Sequence, residues 1–331
     1  MMFFITLILG SLISISSYSW LGMWMGLEIN MISIIPLFSK MKNMYSSESS
    51  IKYFLTQALA SMMILFSIIL ISINSNFINM FFNKMFIMIM NSSLLTKMGA
   101  APFHFWFPEV MEGLSWMNSL ILLTWQKITP MILIMYNSEM SMFFFYIILT
   151  CMIIGSIMGF NQISLRKILV FSSINHIGWM ISALIFSKTI WLIYFVIYSL
   201  ISMNLIFIFN KMKIFFINQL ISTMNYKPLF KLFFILNFFS LGGLPPFLGF
   251  TPKWLTLNEL MINNQLILSF FMILFTLITL YFYTRISFST LIINHNSSSI
   301  SSIKINYFIM INLNVLILSS MLLMPILLNS Y

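Results

Sequence analysis

Charge is what this sequence is shortest of. Of its 331 residues, 7% are charged and 60% are hydrophobic, whereas a soluble domain carries roughly 25% charged residues. A chain this poor in charge cannot cover a water-facing surface, so its solvent is lipid. No hydrophilic stretch is long enough to form a water-soluble domain. Aspartate is absent and arginine occurs only at Arg166 and Arg285, a bias that accompanies AT-rich organellar genomes. The single cysteine, Cys151, excludes an internal disulfide and a thiolate-held iron–sulfur cluster within the chain; alone, it reads as a small apolar packer. Met1–Gly10 has no basic residue and no small-residue cleavage site, and reads as neither a secretory signal nor a transit peptide.

What is present is a succession of apolar runs. A helix crossing a hydrocarbon core of ~30 Å needs about 20 residues, and the runs fall into eleven such spans, at about 3–19, 20–39, 53–73, 84–108, 117–137, 142–160, 168–186, 189–210, 229–255, 265–285 and 306–328. This predicts an all-α polytopic membrane protein. The polar run Ser16–Ser19 is the expected turn between the first two spans. The Ser/Asn-rich stretches Met44–Ser50 and Asn294–Ser302 read as loops.

The formal net charge of +10 does not indicate nucleic acid, because the basic residues are scattered between apolar spans rather than clustered on a face. It fits topology instead. With the N-terminus inside, the inner loops hold Lys40, Lys42, Lys52, Arg166, Lys167, Lys211, Lys213, Lys227, Lys231, Arg285 and Lys304, and the outer loops only Lys84 and Lys188. Cytoplasmic-type loops carry such a positive excess, and anionic headgroups, cardiolipin among them, would be drawn to the same face.

Four charged side chains nevertheless fall well within apolar spans: Glu28, Lys97, Lys127 and Lys253. A charge at a span's centre costs about 2.5–3.5 kcal/mol by insertion scales, and such groups are functional by default. The bland alternative is snorkelling to an interface or a structural ion pair. Burial works against the charged form of lysine and glutamate alike, and a neighbouring opposite charge works for it. A buried glutamate–lysine pair can therefore be poised so that a change at one alters proton occupancy at the other. His176 also lies within a span, and reads either as a proton relay or as a hydrogen-bonded packing histidine. His104 lies in an interrupted region, and His295 in a loop.

The sharpest pattern is a pair of matching interruptions, Pro102-Phe-His-Phe-Trp-Phe-Pro108 and Pro246-Phe-Leu-Gly-Phe-Thr-Pro252, offset by 144 residues. Each proline removes an N–H and displaces the carbonyl four residues back, which predicts freed carbonyls at Met98, His104, Gly242 and Leu248. Broken helices persist at membrane depth only where protein or a wet cavity surrounds them, and paired interruptions point to a transport path in a repeat-built transporter. A similar shift places Glu28-Ile-Asn30 over Ser173-Ile-Asn175. Spans one to five and six to ten then form two five-helix repeats, about 1–140 and 141–290, with an added C-terminal helix at about 303–331. An odd number of helices per repeat implies that the two are inverted.

The strings GLEIN, IKYFLTQALAS, KMGAAPFHFWFPEV, LLTWQKITP, LRKILVFSSINHIGWM and SLGGLPPFLGFTPKW resemble the chain 2 family of mitochondrial NADH–ubiquinone oxidoreductase (respiratory complex I), in its insect-like form, from Ser19 to about Arg285. The resemblance implies an antiporter-like subunit of the membrane arm, placed among other such subunits in the inner membrane with its N-terminus on the matrix side. It implies that Glu28 is the pairing glutamate, that Lys97 and Lys253 belong to the two broken helices, that Lys127 is the connecting lysine, and that His176 lies on the central axis. It implies further that the chain holds no cofactor: flavin, iron–sulfur clusters and ubiquinone belong to other subunits. A freestanding cation/proton antiporter would share the same broken helices.

Overall fold

A computed structural model describes residues 2–39, 43–74, 80–138, 141–224, 228–245 and 247–292. These form α1 (Met2–Ser16), α2 (Trp20–Phe38), α3 (Met44–Asn74), α4 (Met80–Met98), α5 (Trp106–Gly113), α6 (Trp116–Leu123), α7 (Trp125–Met135), α8 (Ser141–Phe160), α9 (Leu165–Phe186), α10 (Lys188–Met212), α11 (Ile217–Met224), α12 (Pro228–Gly242), α13 (Phe250–Ile262) and α14 (Leu266–Ile292). The chain gathers into two compact units, Met1–Thr150 and Cys151–Tyr331, whose boundary falls inside α8.

Among the described residues, six helices are long and apolar enough to cross a membrane: α2, α3, α8, α9, α10 and α14. The other described spans fall on shorter pieces. α1 has 15 residues; α4–α5 and α12–α13 are interrupted, as the prolines predict. The span expected at 117–137 is also cut, at Thr124, whose N–H and Oγ1 both donate to Leu120 O (3.0 and 2.7 Å). The span at 306–328, the Asn294–Ser302 loop, His295, Lys40, Lys42, Lys227 and Lys304 lie outside the described residues.

In the first unit the chain turns at residues 17–19, and Ser19 caps α2 by accepting from Gly22 N at 3.2 Å. Small residues let α1 and α2 pack backbone to backbone: a Cβ on Gly10 would sit 2.8 Å from Asn30 N, and one on Gly26 2.5 Å from Ser14 N. The loop expected at Met44–Ser50 is instead the first two turns of α3. Its serines return their hydroxyls to carbonyls three residues back (Ser46, Ser47, Ser49 and Ser50), and Glu48 pairs with Lys52 one turn on at 2.9 Å. Lys52, expected in a loop, therefore lies within α3, where it also reaches Glu109 of α5 at 2.9 Å. Two further bonds tie helices together: Asn118 Nδ2 donates to Leu37 O (2.8 Å), and Asn91 Nδ2, from within α4, to Asn137 O (3.4 Å).

In the second unit α9 is buried along nearly its whole length, as a helix apolar on all sides should be. Gly155 of α8 lies against it, where a Cβ would come within 2.9 Å of Asn175 N. The connections after α8 and α10 meet in a short antiparallel contact, Leu165 N to Phe215 O (3.0 Å) and Ile217 N to Ile163 O (3.3 Å). Part of the stretch between Lys213 and Lys227, expected to be a loop, folds as α11. Arg285 Nη1 donates to Phe160 O at 3.3 Å.

Candidate functional site

In Met1–Thr150, α4 ends at Gly99, whose φ of +73° is left-handed. Its N–H bonds Thr96 O (3.1 Å), and Ala100 N bonds Leu95 O (3.0 Å), the paired bonds of a Schellman ending. The helix resumes at Trp106. The carbonyl expected to be free at His104 is taken up at once by Phe107 N (2.9 Å), because the new helix begins with a tight turn. His104 itself is buried within the break, its Nδ1 3.3 Å from Pro102 O.

Lys97 lies in the last turn of α4 and is 7% exposed. Its position favours a cation, since a helix C-terminus carries partial negative charge. Its backbone carbonyl accepts from Gln57 Nε2 of α3 (3.4 Å), and the neighbouring Thr96 O from Trp106 Nε1 (3.1 Å). Its own ammonium has no hydrogen bond to protein among the described residues. Glu28, half-buried on α2, acts on it electrostatically without closing to a direct ion pair. Lys97 lines a small recess with Asn30, Tyr53, Gln57, Gln126 and Thr129. Lys127 is 1% exposed, with its Nζ 5.8 Å from the centre of the Phe107 ring that follows the break. The structure thus brings Glu28, Lys97 and Lys127 into one unit.

In Cys151–Tyr331 the second break has the same opening geometry. Gly243 has φ +75°, with Gly243 N bonded to Ser240 O (3.0 Å) and Leu244 N to Phe239 O (3.3 Å). Pro246 lies outside the described residues. The carbonyl predicted to be free at Gly242 accepts from Lys253 Nζ at 2.9 Å, and Leu241 O accepts from the same ammonium at 3.2 Å. The Leu248 carbonyl, also expected to be free, is taken by Thr251 through both N–H (3.2 Å) and Oγ1 (2.7 Å). Lys253 is 7% exposed, folds over Gly243 and lies 5.9 Å from the Trp179 ring centre. His176 is 5% exposed; its Nδ1 is 2.9 Å from Tyr194 Oη, and its ring packs on Tyr198. A second small recess is lined by His176, Tyr194, Tyr198, Ser240, Leu241 and Pro252.

The local geometries repeat along the chain. Gly10 against Asn30 matches Gly155 against Asn175, and buried Tyr53 matches buried Tyr198, both at an offset of 145 residues. The left-handed Gly99 and Gly243 follow at 144. The sequence reading missed the neutral partners of the charged groups: Asn30, Tyr53, Gln57, Gln126, Tyr194 and the Thr124 break. Their one visible signal was an amide or phenol inside an apolar run.

Interrupted helices that carry buried lysines, twice over, define a class of membrane subunit. The family described as "NADH:quinone oxidoreductase/Mrp antiporter, TM" matches residues 17–279, and the chain belongs to this family. Within it, the chain is 52% identical to NADH-ubiquinone oxidoreductase chain 2 of Anopheles gambiae, over 90% of this chain and 87% of the relative. It is 48% identical to chain 2 of Locusta migratoria, over 92% and 90%. The fold is similar to a chain of respiratory complex I from Thermus thermophilus (TM-score 0.87, 20% identity, 98% of this chain and 78% of that one). It is also similar to one of the Mrp complex from Dietzia (TM-score 0.82, 14% identity, 98% and 74%).

Proposed function

We propose that this chain is a proton-carrying subunit of the membrane arm of respiratory complex I in the mitochondrial inner membrane, with its N-terminus on the matrix side. The observation that carries the reading is the burial of three lysines, Lys97, Lys127 and Lys253, at or beside helix interruptions in a chain half identical to chain 2 subunits. Groups so expensive to bury persist where they move or hold charge.

The chain makes eleven crossings in two inverted five-helix repeats plus a C-terminal helix. In support, the bonds Lys52–Glu109, Asn118–Leu37 and Arg285–Phe160 each join ends of the expected spans that this alternation assigns to one side. The matched glycines and asparagines support the repeat. Quinone reduction in other subunits sends an electrostatic change along the membrane arm; here it alters the Glu28–Lys97 interaction. Protons then pass along a hydrated row, Lys97–Lys127–His176–Lys253. NADH, flavin, iron–sulfur clusters and ubiquinone bind other subunits. Neighbouring antiporter-like subunits and anionic lipid complete its surroundings.

Replacing Lys97 with Met lowers the number of protons moved per electron pair while the complex still assembles and oxidises NADH. An unchanged ratio in that variant defeats the proposal. A freestanding cation/proton antiporter, the other reading the fold allows, would transport when the purified chain alone is placed in liposomes; a subunit would not.

A further inference from the structure

The recess beside Lys97 is built largely from groups that cannot titrate near neutral pH. Gln126 of α7 is part of its lining. Its Nε2 donates to Asn30 Oδ1 of α2 at 2.8 Å, and its Oε1 accepts from Tyr53 Oη of α3 at 3.4 Å. One side-chain amide thus joins the helix that carries Glu28 to the helix that carries Lys127, with Tyr53 fixing which way the amide faces. Gln126, Thr129 and Pro130 all line the recess, at the i, i+3 and i+4 spacing of one helix face. Lys127, next in sequence to Gln126, turns about 100° away and lies by Phe107 instead. The polar groups that α7 offers to the Lys97 side are therefore Gln126 and Thr129, and of these Gln126 carries the amide bonded to Asn30 and Tyr53.

A primary amide has two donors and two acceptor lone pairs. Asn30 takes one donor and Tyr53 one lone pair, which leaves one of each for the recess. Pro130 has no N–H to give the Gln126 backbone carbonyl four residues back, so that carbonyl also lacks its usual helical donor. The recess has room for about one water molecule. Lys97, whose ammonium has no protein hydrogen bond among the described residues, lines the same space.

We propose that Gln126 is a positioning residue for Lys97: held between Asn30 and Tyr53, its amide orients the water that links Lys97 to α7. The inference rests on the proton-carrying reading of Lys97 and adds to it the group through which Lys97 communicates. A neutral amide suits this place because it can donate and accept at once without keeping the proton.

The test uses the assembled complex in proteoliposomes, with protons moved per electron pair measured beside NADH oxidation for Gln126→Leu, Gln126→Glu and Lys97→Met. Gln126→Leu should lower the proton ratio while NADH oxidation is kept. Gln126→Glu keeps the shape. As a carboxylate it should lower the ratio by pairing with Lys97; once protonated it again donates and accepts, so the ratio should recover as pH falls. The titratable groups that line the recess with it are Tyr53 on α3 and Lys97 on α4; Glu28 on α2 acts on Lys97 from outside the lining, and Lys127 on its own helix turns away to Phe107. A merely structural role would lower assembly and both activities together in Gln126→Leu, and leave the Gln126→Glu ratio independent of pH. If Gln126→Leu fails to assemble, the pH profile of Gln126→Glu decides. A lowered ratio in Lys97→Met with normal, pH-independent ratios in both Gln126 variants overturns this inference alone. A normal ratio in Lys97→Met overturns the function on which it rests.

Discussion

The two units end their first broken-helix segment with the same backbone turn, yet hold the nearby lysine in opposite ways. At the α4 ending the carbonyls of Thr96 and Lys97 are met by neutral donors, Trp106 and Gln57, and the ammonium of Lys97 is left to the recess and to Glu28. At the α12 ending the carbonyls of Leu241 and Gly242 are met by an ammonium, that of Lys253. In the register that aligns the breaks, Lys97 falls at Leu241 and Lys253 at Glu109. In the register that aligns Asn30 with Asn175, Glu28 falls at Ser173. The second unit has thus no acidic partner at the matching place, and backbone carbonyls take that role. The comparison teaches that one turn serves two settings: a lysine poised against a distant carboxylate, and a lysine anchored on the helix end itself.

Removing each lysine tests this most directly. Lys253→Met leaves two carbonyls without a donor in apolar surroundings, at about 1–3 kcal/mol each, and should reduce the amount of assembled complex seen by native electrophoresis. Lys97→Met breaks no protein hydrogen bond of the ammonium and should leave assembly near normal. Equal assembly of the two variants would break the contrast.

The glycines give the next largest effect. Alanine at Gly99 or Gly243 must adopt a left-handed conformation costing roughly 1–2 kcal/mol, so both should lower the melting temperature of the complex. Only at Gly243 does the new methyl meet the lysine, 2.7 Å from its Cδ; at Gly99 it meets the Phe107 ring at 2.8 Å. Gly243→Ala alone should therefore also change proton translocation. At the helix crossings, Gly10→Ala and Gly155→Ala drive a methyl to 2.8 and 2.9 Å from an asparagine N–H. Each should destabilise by about 1–3 kcal/mol through overpacking, and by similar amounts if the crossings are true counterparts; thermal denaturation compares them. The smallest effect belongs to Lys52→Met. Its side chain is 42% exposed and its ion pairs with Glu48 and Glu109 face solvent, where such pairs contribute little. Assembly and melting should be unchanged at physiological salt.

Much of this arrangement was legible in the order of residues. The helix breaks follow from proline chemistry; their left-handed endings, on glycines ahead of the prolines, were not read from the sequence. The turn at residues 17–19 was marked by serines. Met44–Ser50 misled because serine clusters usually signal loops, whereas here each hydroxyl bonds back into the helix and Glu48–Lys52 reinforces it. The break at Thr124 had no proline to announce it. The neutral partners were harder still: an amide within an apolar run shows that a polar contact exists but not with which helix, since Gln126 and Asn30 lie 96 residues apart.

Composition and spacing alone determined that the chain lives in lipid, that its helices break twice in matching fashion, and that four charges and a histidine lie where charge is costly. Those are consequences of transfer free energy and backbone chemistry, which act on each residue locally. Only the tertiary structure decided which carbonyl each ammonium meets, that Lys253 is anchored while Lys97 faces a polar recess, and that Gln126 spans Asn30 and Tyr53. Hydrogen bonds are short and directional, so their partners exist only once distant segments are packed side by side.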